Sequence, residues 1–164
     1  MVEATIAIAI IMIVLTGIIS VYPLLFRTSL NTIEGARGAM LLEEGIEAVK
    51  TMRDNSWNSY IAASALTAST TYFLSFATST GWSATLTPTL VDSKFSRTFS
   101  VYYICRDANY DIVDVSPTTT APTCSSPQTS DLNTRKVTVS VSWREGNATS
   151  TKVISTFITD LFGD

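Results

Sequence analysis

Hydrophobic and polar positions divide the chain into three stretches with different periods. Residues 4–26 carry no charged side chain and are apolar all round, closed by Arg27. As a helix rising about 1.5 Å per residue this run spans roughly 34 Å, enough to cross the hydrocarbon core of a bilayer. Beyond it, Ala39, Leu42, Ile46, Val49 and Met52 recur at helical spacing with charges between them, which predicts an amphipathic helix. Glu34 with Arg37, and Glu47 with Lys50, stand three apart on its outer side, each pair contributing only a few tenths of a kcal/mol. Asp54-Asn55-Ser56 ends the pattern, so the helix is expected from near residue 2 to near 54, on the order of 80 Å if continuous. Pro23 lacks the amide that a helix interior uses, and Gly17 is a weak helix former, so any break is expected between them. A gentle proline kink and an unwound segment both fit, the second favoured where helices pack into an assembly.

Residues 55–91 have no charge and are rich in Ser, Thr and Ala, yet hold Trp57, Tyr60, Tyr72, Phe73, Leu74, Phe76, Trp82 and Leu86. So many large apolar groups argue against a disordered tether and for a packed segment. Residues 71–76 read as a strand, 79–81 as a turn and 82–90 as a second extended piece interrupted by Pro88. The hydroxyl-rich surface suits either subunit contacts or sugar attachment. The later half alternates with period two: Phe95, Phe99, Val101, Tyr103 and Cys105 share one parity, and Val137, Val139, Val141 and Trp143 another. Turns at 107–109 and 145–147 connect antiparallel strands, the last around residues 149–158. The apolar face of this sheet needs a cover, and the stripe on the second helical half is the nearest one. The expected class is α+β: a long N-terminal α-helix, its first half suited to a membrane or a filament core and its second amphipathic, packed on an antiparallel β-sheet. The expected segments are a hydrophobic helix over 1–27, an amphipathic helix over 28–55 and a β-rich domain over 56–164.

The chemistry this chain offers is narrow. Cys105 and Cys124 are its two cysteines, and a disulfide between them would bound a loop over 105–124 and anchor a solvent-exposed Pro/Thr/Ser excursion over 116–127 to the end of the strand that closes at Cys105; two free buried thiols are the alternative. The chain has no histidine, and neither metal-ligand spacing nor a Gly-rich phosphate loop is present, so no catalytic residue, cofactor or metal is expected and the chain is not read as an enzyme. With a formal net charge of −3 and no basic stripe, no direct nucleic-acid site is expected. Asn147-Ala148-Thr149 matches an N-glycosylation acceptor in a predicted turn. A cleaved secretory signal needs a basic segment ahead of a shorter apolar core and a small-residue cleavage site after it; none of the three is read here, so the apolar run is expected to stay with the mature protein. Glu3 is the one carboxylate beside that run, where an isolated charge is costly. Its most economical partner is a free amino terminus.

The segment Met1-Val2-Glu3-Ala4-Thr5-Ile6-Ala7-Ile8-Ala9-Ile10-Ile11 resembles the mature N-terminus of type IV pilins and type II secretion pseudopilins. Leu41-Leu42-Glu43-Glu44-Gly45-Ile46-Glu47-Ala48-Val49-Lys50, followed by Arg53-Asp54-Asn55-Ser56-Trp57, is similar to bacterial members of that family, and residues 95–99 and 135–143 add weaker similarity. Two departures stand out. More residues normally lie between the family's cleavage point and its glutamate than the two, Met1 and Val2, that precede Glu3 here, so either the first mature residues are missing or the register is unusual. Pro23 also lies farther from the glutamate than the family's helix-breaking proline.

The resemblance implies a pilin-like lollipop fold and a subunit, with a major shaft subunit favoured, of a helical filament on the cell surface. Such a chain would wait in the cytoplasmic membrane as a precursor, be processed by a prepilin peptidase, often with methylation of the new first residue, and be stacked as a homo-oligomer by a pilus assembly machine driven by ATP. Glu3 would neutralise the amino terminus of an adjacent subunit; Ile6, Ile10 and Ile13 would pack between helices; Gly17 and Pro23 would mark the helix break. Adhesion, twitching motility or uptake would be the filament's work. A secretion pseudopilin, or a membrane-tethered module that binds a surface or ligand, is the alternative.

Overall fold

The computed structural model describes residues 2–62, 65–116 and 124–163, with the side chains of 114–116 left out of account. It divides into two units, Met1–Arg37 and Gly38–Asp164. Helix α1 runs Val2–Asn55 with Pro23 inside it. A second, one-turn helix, α2 (Trp57–Tyr60), follows at once, capped by Ser56, whose hydroxyl accepts the Ser59 N–H at 3.2 Å. The extended backbone of Ser56, φ −174° and ψ 120°, breaks the helical path and so ends α1 where Asp54-Asn55-Ser56 predicted.

Seven strands follow among the described residues: β1 (Thr71–Ala77), β2 (Gly81–Thr85), β3 (Leu90–Val91), β4 (Phe95–Arg106), β5 (Ile112–Ser116), β6 (Thr129–Glu145) and β7 (Ala148–Thr159). They form one open antiparallel sheet in the order β2-β1-β4-β6-β7, with β3 and β5 also paired to β4. Because β6 takes one edge of β4 along its length, β3, β1 and β5 share the other edge in succession. The two hairpin ends are tight, and Gly81 and Gly146 supply the positive φ, +73° and +62°, that these turns require.

The core lies within the second unit, between the Gly38–Asn55 part of α1 and one face of the sheet. Leu41, Leu42, Ile46, Val49 and Met52 meet Phe95, Phe99, Val101, Val137, Val139, Val141 and Trp143. The predicted parity holds: Phe99 faces Val139 and Val101 faces Val137 across the β4–β6 ladder, all four buried. The class is α+β, a long N-terminal helix packed on an antiparallel sheet.

Two helical glycines set how closely α1 lies on the sheet. A Cβ at Gly38 would stand 2.6 Å from the Trp143 ring, and one at Gly45 2.8 Å from Val139 Cγ1. These residues weaken the isolated helix by about 1 kcal/mol each relative to alanine, yet both sit where the strand side chains come nearest.

The charge-free stretch behaves unevenly. Trp57, Ile61, Leu66 and Ala68 are buried, as are Tyr72 and Leu74. Phe76 and Leu86, expected to pack down, are exposed instead, because Phe76 lies on the β1–β2 hairpin and Leu86 just past its end, at the free edge of the sheet, where the Phe76 ring meets the partly buried Trp82 ring at a tilt with centroids 5.1 Å apart. Of the Pro/Thr/Ser excursion expected over 116–127, residues 117–123 lie outside those described. Its anchor does not: Cys105 and Cys124 form a disulfide with Cα atoms 5.7 Å apart. Closing a loop with that sequence separation of 19 contributes about 3 kcal/mol in the chain-entropy account. Replacing both cysteines by serine is expected to lower the unfolding free energy by about that amount in a urea titration, with the sheet still formed by circular dichroism.

Candidate functional site

Over residues 2–26 of the first unit the helix is a solvent-facing rod of mostly aliphatic side chains. Ile6, Ile10 and Ile13 are exposed, as are Ile8, Leu15, Ile18, Leu24 and Phe26 between and beyond them, so the apolar surface is continuous around the helix and is not a stripe. One stretch is long and apolar enough to cross a membrane. Glu3 is exposed in the first turn, where the unpaired N–H groups of a helix start favour a negative charge.

Threonine and serine hydroxyls of this unit are turned onto the helix's own carbonyls. Thr16 Oγ1 donates to the carbonyls of Met12 and Ile13, both at 2.9 Å, and Ser20 Oγ donates to Thr16 O at 2.7 Å. Thr28 and Thr32 repeat the pattern four residues back, at 2.9 Å each. Hydroxyls satisfied in this way add little polarity to the surface, which suits an apolar surrounding.

Gly17 and Pro23 both lie inside α1. Pro23 removes the amide that would otherwise bond Ile19 O. Gly17, where a side chain would meet open space, leaves a shallow hollow of about 350 Å³ lined by Ile18, Val21, Tyr22 and Leu25. Tyr22 and Phe26 stack one turn apart, with ring centroids at 6.5 Å.

In the second unit the sequence concealed two buried cations. Arg97 shares the inward parity of Phe95 and Phe99 and is only 4 % exposed. Its guanidinium lies 4.9 Å over the Trp82 ring, and Nη1 is 2.9 Å from Glu44 Oε2. That contact lies off the N–H direction, so it is an ion pair without a hydrogen bond; Nη1 and Nε have no hydrogen-bond acceptor among the described residues. Glu44 is therefore more than helix-surface charge, although its carboxylate is half exposed. Glu47, by contrast, pairs with Lys50 at 2.8 Å on the outer side, as predicted.

Removing one partner of a buried pair leaves the other uncompensated, at a cost moderated here by the exposure of the carboxylate. Glu44→Gln is expected to lower the unfolding free energy by about 2 kcal/mol, while Glu43→Gln, one residue away and exposed, changes it by less than about 0.5 kcal/mol. Thermal melts of the two variants side by side check this.

Arg135 is the second cation, at the inward parity of Val137. It is buried between Tyr103, 4.3 Å from the ring centroid, and Trp57, 5.7 Å away, and its Nη1 donates to the carbonyls of Asp131, Leu132 and Thr134. Burial pushes this guanidinium below its usual range, opposed by the nearby Tyr103 and Asp131. Asn147 is exposed in the β6–β7 turn. Among the described residues no three His, Cys, Asp or Glu side chains converge as metal ligands would. No family model, curated protein or solved structure matches this chain.

Proposed function

We propose that the chain is a non-enzymatic structural subunit of a type IV pilin-like helical filament, held in a membrane by its N-terminal helix before assembly. The observation that carries this reading is the form of residues 2–26 in the first unit: an apolar surface continuous around the helix, with the Thr16 and Ser20 hydroxyls turned onto its own carbonyls and one carboxylate, Glu3, at its start. A bilayer solvates such a surface, and so does a bundle of identical helices.

In the bundle, Ile6, Ile10 and Ile13 interdigitate with neighbours, and Ala4, Ala7 and Ala9 allow the backbones to approach. Glu3 finds its countercharge in the amine of an adjacent subunit, which fixes the axial register of the stack. The contact joins different surfaces of like subunits without closing, so the assembly propagates. The Gly17 hollow offers a place for a neighbour's side chain, and the missing hydrogen bond at Pro23 lets the helix stretch locally as subunits settle. Processing by a prepilin peptidase and stacking by an ATP-driven machine complete the scheme; adhesion, motility or uptake by a surface pilus is its outcome, with a secretion pseudopilus as the nearest relative role.

Electron microscopy of material sheared from producing cells, with mass spectrometry of the fibres, tests the proposal. Fibres built mainly of this chain support it. Absence from fibres, with the protein extracted by detergent as a monomer, overturns it in favour of a tethered module.

A further inference from the structure

We propose that a surface cleft between the Asp107–Tyr110 turn and the start of β6 binds a neutral sugar, with the Tyr110 ring as the stacking platform and Ser130, Asp131 and Asn133 as the hydrogen-bonding rim. The cleft has a volume of about 460 Å³ and is lined also by Arg106 and Leu132. It belongs to the second unit and stands independently of the filament reading.

Two separately irregular segments meet there. Tyr110 has φ +68°, the left-handed region that a bulky side chain occupies only under constraint. The constraint is explicit: Asp107 Oδ1 accepts the N–H groups of Asn109 and Asp111 at 2.8 and 3.0 Å, and Arg106 Nη1 donates to Tyr110 O at 2.6 Å. Strain held in this way usually returns buried area, but Tyr110 is 79 % exposed. Packing does not explain the residue; an external partner for the ring does.

Opposite, the β4–β6 ladder jumps from Tyr103↔Arg135 to Ile104↔Asp131, so residues 132–134 have no partners on β4 and form an excursion in which Leu132 and Asn133 are exposed, while Thr134 stays buried and paired with Thr159 on β7. Arg135 pins this excursion through the carbonyls of Leu132 and Thr134, which leaves Leu132 58 % exposed at the cleft. An aromatic ring and an aliphatic group thus flank a set of hydroxyl, amide and carboxylate groups.

The charges inside the cleft cancel, which decides the ligand class. Arg106 Nε donates to Asp131 Oδ2 at 2.6 Å, and Asp131 Oδ1 accepts the Asn133 N–H at 2.8 Å. Burial alone would raise the Asp131 pKa, but hydrogen bonds from Arg106, Thr134 and the Asn133 backbone together hold it below the usual value, so it is an ionised acceptor at neutral pH. With Arg106 spent on Asp131 and on the Tyr110 carbonyl, a phosphate, carboxylate or ammonium ligand meets no spare countercharge. A pyranose needs none: one C–H face lies on the ring, and its hydroxyls donate to the remaining lone pairs of Asp131 and exchange hydrogen bonds with Ser130 and Asn133.

Saturation-transfer NMR on the full chain in zwitterionic micelles, with the methyl glycosides of galactose, glucose, mannose and N-acetylglucosamine as probes, tests the assignment; alkyl-glycoside detergents would compete. At least one probe is expected to bind with a dissociation constant on the order of 1 mM. Tyr110→Gly, which adopts φ +68° without strain, is expected to weaken that binding at least tenfold while its thermal midpoint stays level or rises, and Tyr110→Phe is expected to bind like the parent. No transfer to any of the four probes, or equal transfer in Tyr110→Gly, overturns the proposal. A clear fall in the Tyr110→Gly midpoint also counts against it, because the ring would then be structural.

Discussion

Gly45→Val is expected to lower the unfolding free energy by about 3 kcal/mol or more, a large part of the 5–15 kcal/mol typical of a domain. The reason lies in the close approach of α1 to the centre of the sheet. A Cβ there would stand 2.8 Å from Val139 Cγ1, 3.4 Å from Arg97 Cδ and 3.6 Å from Leu74 Cδ1. Val139 is fully buried on β6, hydrogen-bonded on both sides through β4 and β7, and its branched side chain has little rotameric freedom to withdraw. Arg97 is held by the Trp82 ring and Glu44, so it too yields at a cost. Alanine at 45 sets a helix-propensity gain of up to about 1 kcal/mol against overpacking of about 1–3 kcal/mol, so a smaller net loss is expected. Valine adds two methyl groups to the same gap and forfeits most of the propensity gain. Urea titration followed by tryptophan fluorescence reads the difference, with Glu43→Ala on the exposed side as a control expected within about 0.5 kcal/mol of the parent. An unchanged midpoint for Gly45→Val would mean that α1 is not seated on the sheet at this distance.

The same glycine shows what the sequence makes legible and what it hides. Helical spacing of Leu42, Ile46, Val49 and Met52 and the period-two runs of β4 and β6 were readable because each element buries one face, which forces the pattern. Gly38 and Gly45 stand seven residues apart, on one helix face, and that spacing was a signal of close approach, although propensity alone marks both as weaknesses. Arg97 and Arg135 were masked by their type: arginine is ordinarily exposed, so their inward parity was the only sign of burial, and their partners Trp82, Glu44 and Trp57 are remote in sequence. The register shift that leaves residues 132–134 without partners on β4 comes without a glycine or proline to announce it, and the left-handed Tyr110 follows Asn109, the residue type that more readily takes that conformation. The cleft those two features build was therefore invisible until the register of β4 and β6 was known. Of the proposed assembly site, by contrast, nearly everything is local: an uncharged helix with one carboxylate is a property of consecutive residues.

Glu3→Ala is expected to reduce fibres recovered by shearing at least tenfold while leaving the membrane-held subunit at parental abundance. In a bilayer the carboxylate at the helix start can reach the interface and water, so removing it costs the waiting subunit little. Inside a bundle of apolar helices no such escape exists, and the proposed amine of the neighbouring subunit becomes its partner. The alanine variant leaves that amine in an apolar surrounding without a countercharge, a penalty of several kcal/mol at each added subunit. Because a filament repeats the contact at every step, a modest penalty per subunit shifts the whole assembly equilibrium. Glu3→Gln separates charge from hydrogen bonding: it keeps an acceptor of similar size but no negative charge, and is expected to assemble nearly as poorly as alanine. Replacing Ile10 by alanine, which thins the apolar contact without touching the charge, is expected to weaken fibres against shear and not to stop their formation. Immunoblots of sheared and membrane fractions read all three variants together. Parental fibre yield from Glu3→Ala would remove the carboxylate from the assembly mechanism, and the absence of fibres from the parent itself would remove the filament.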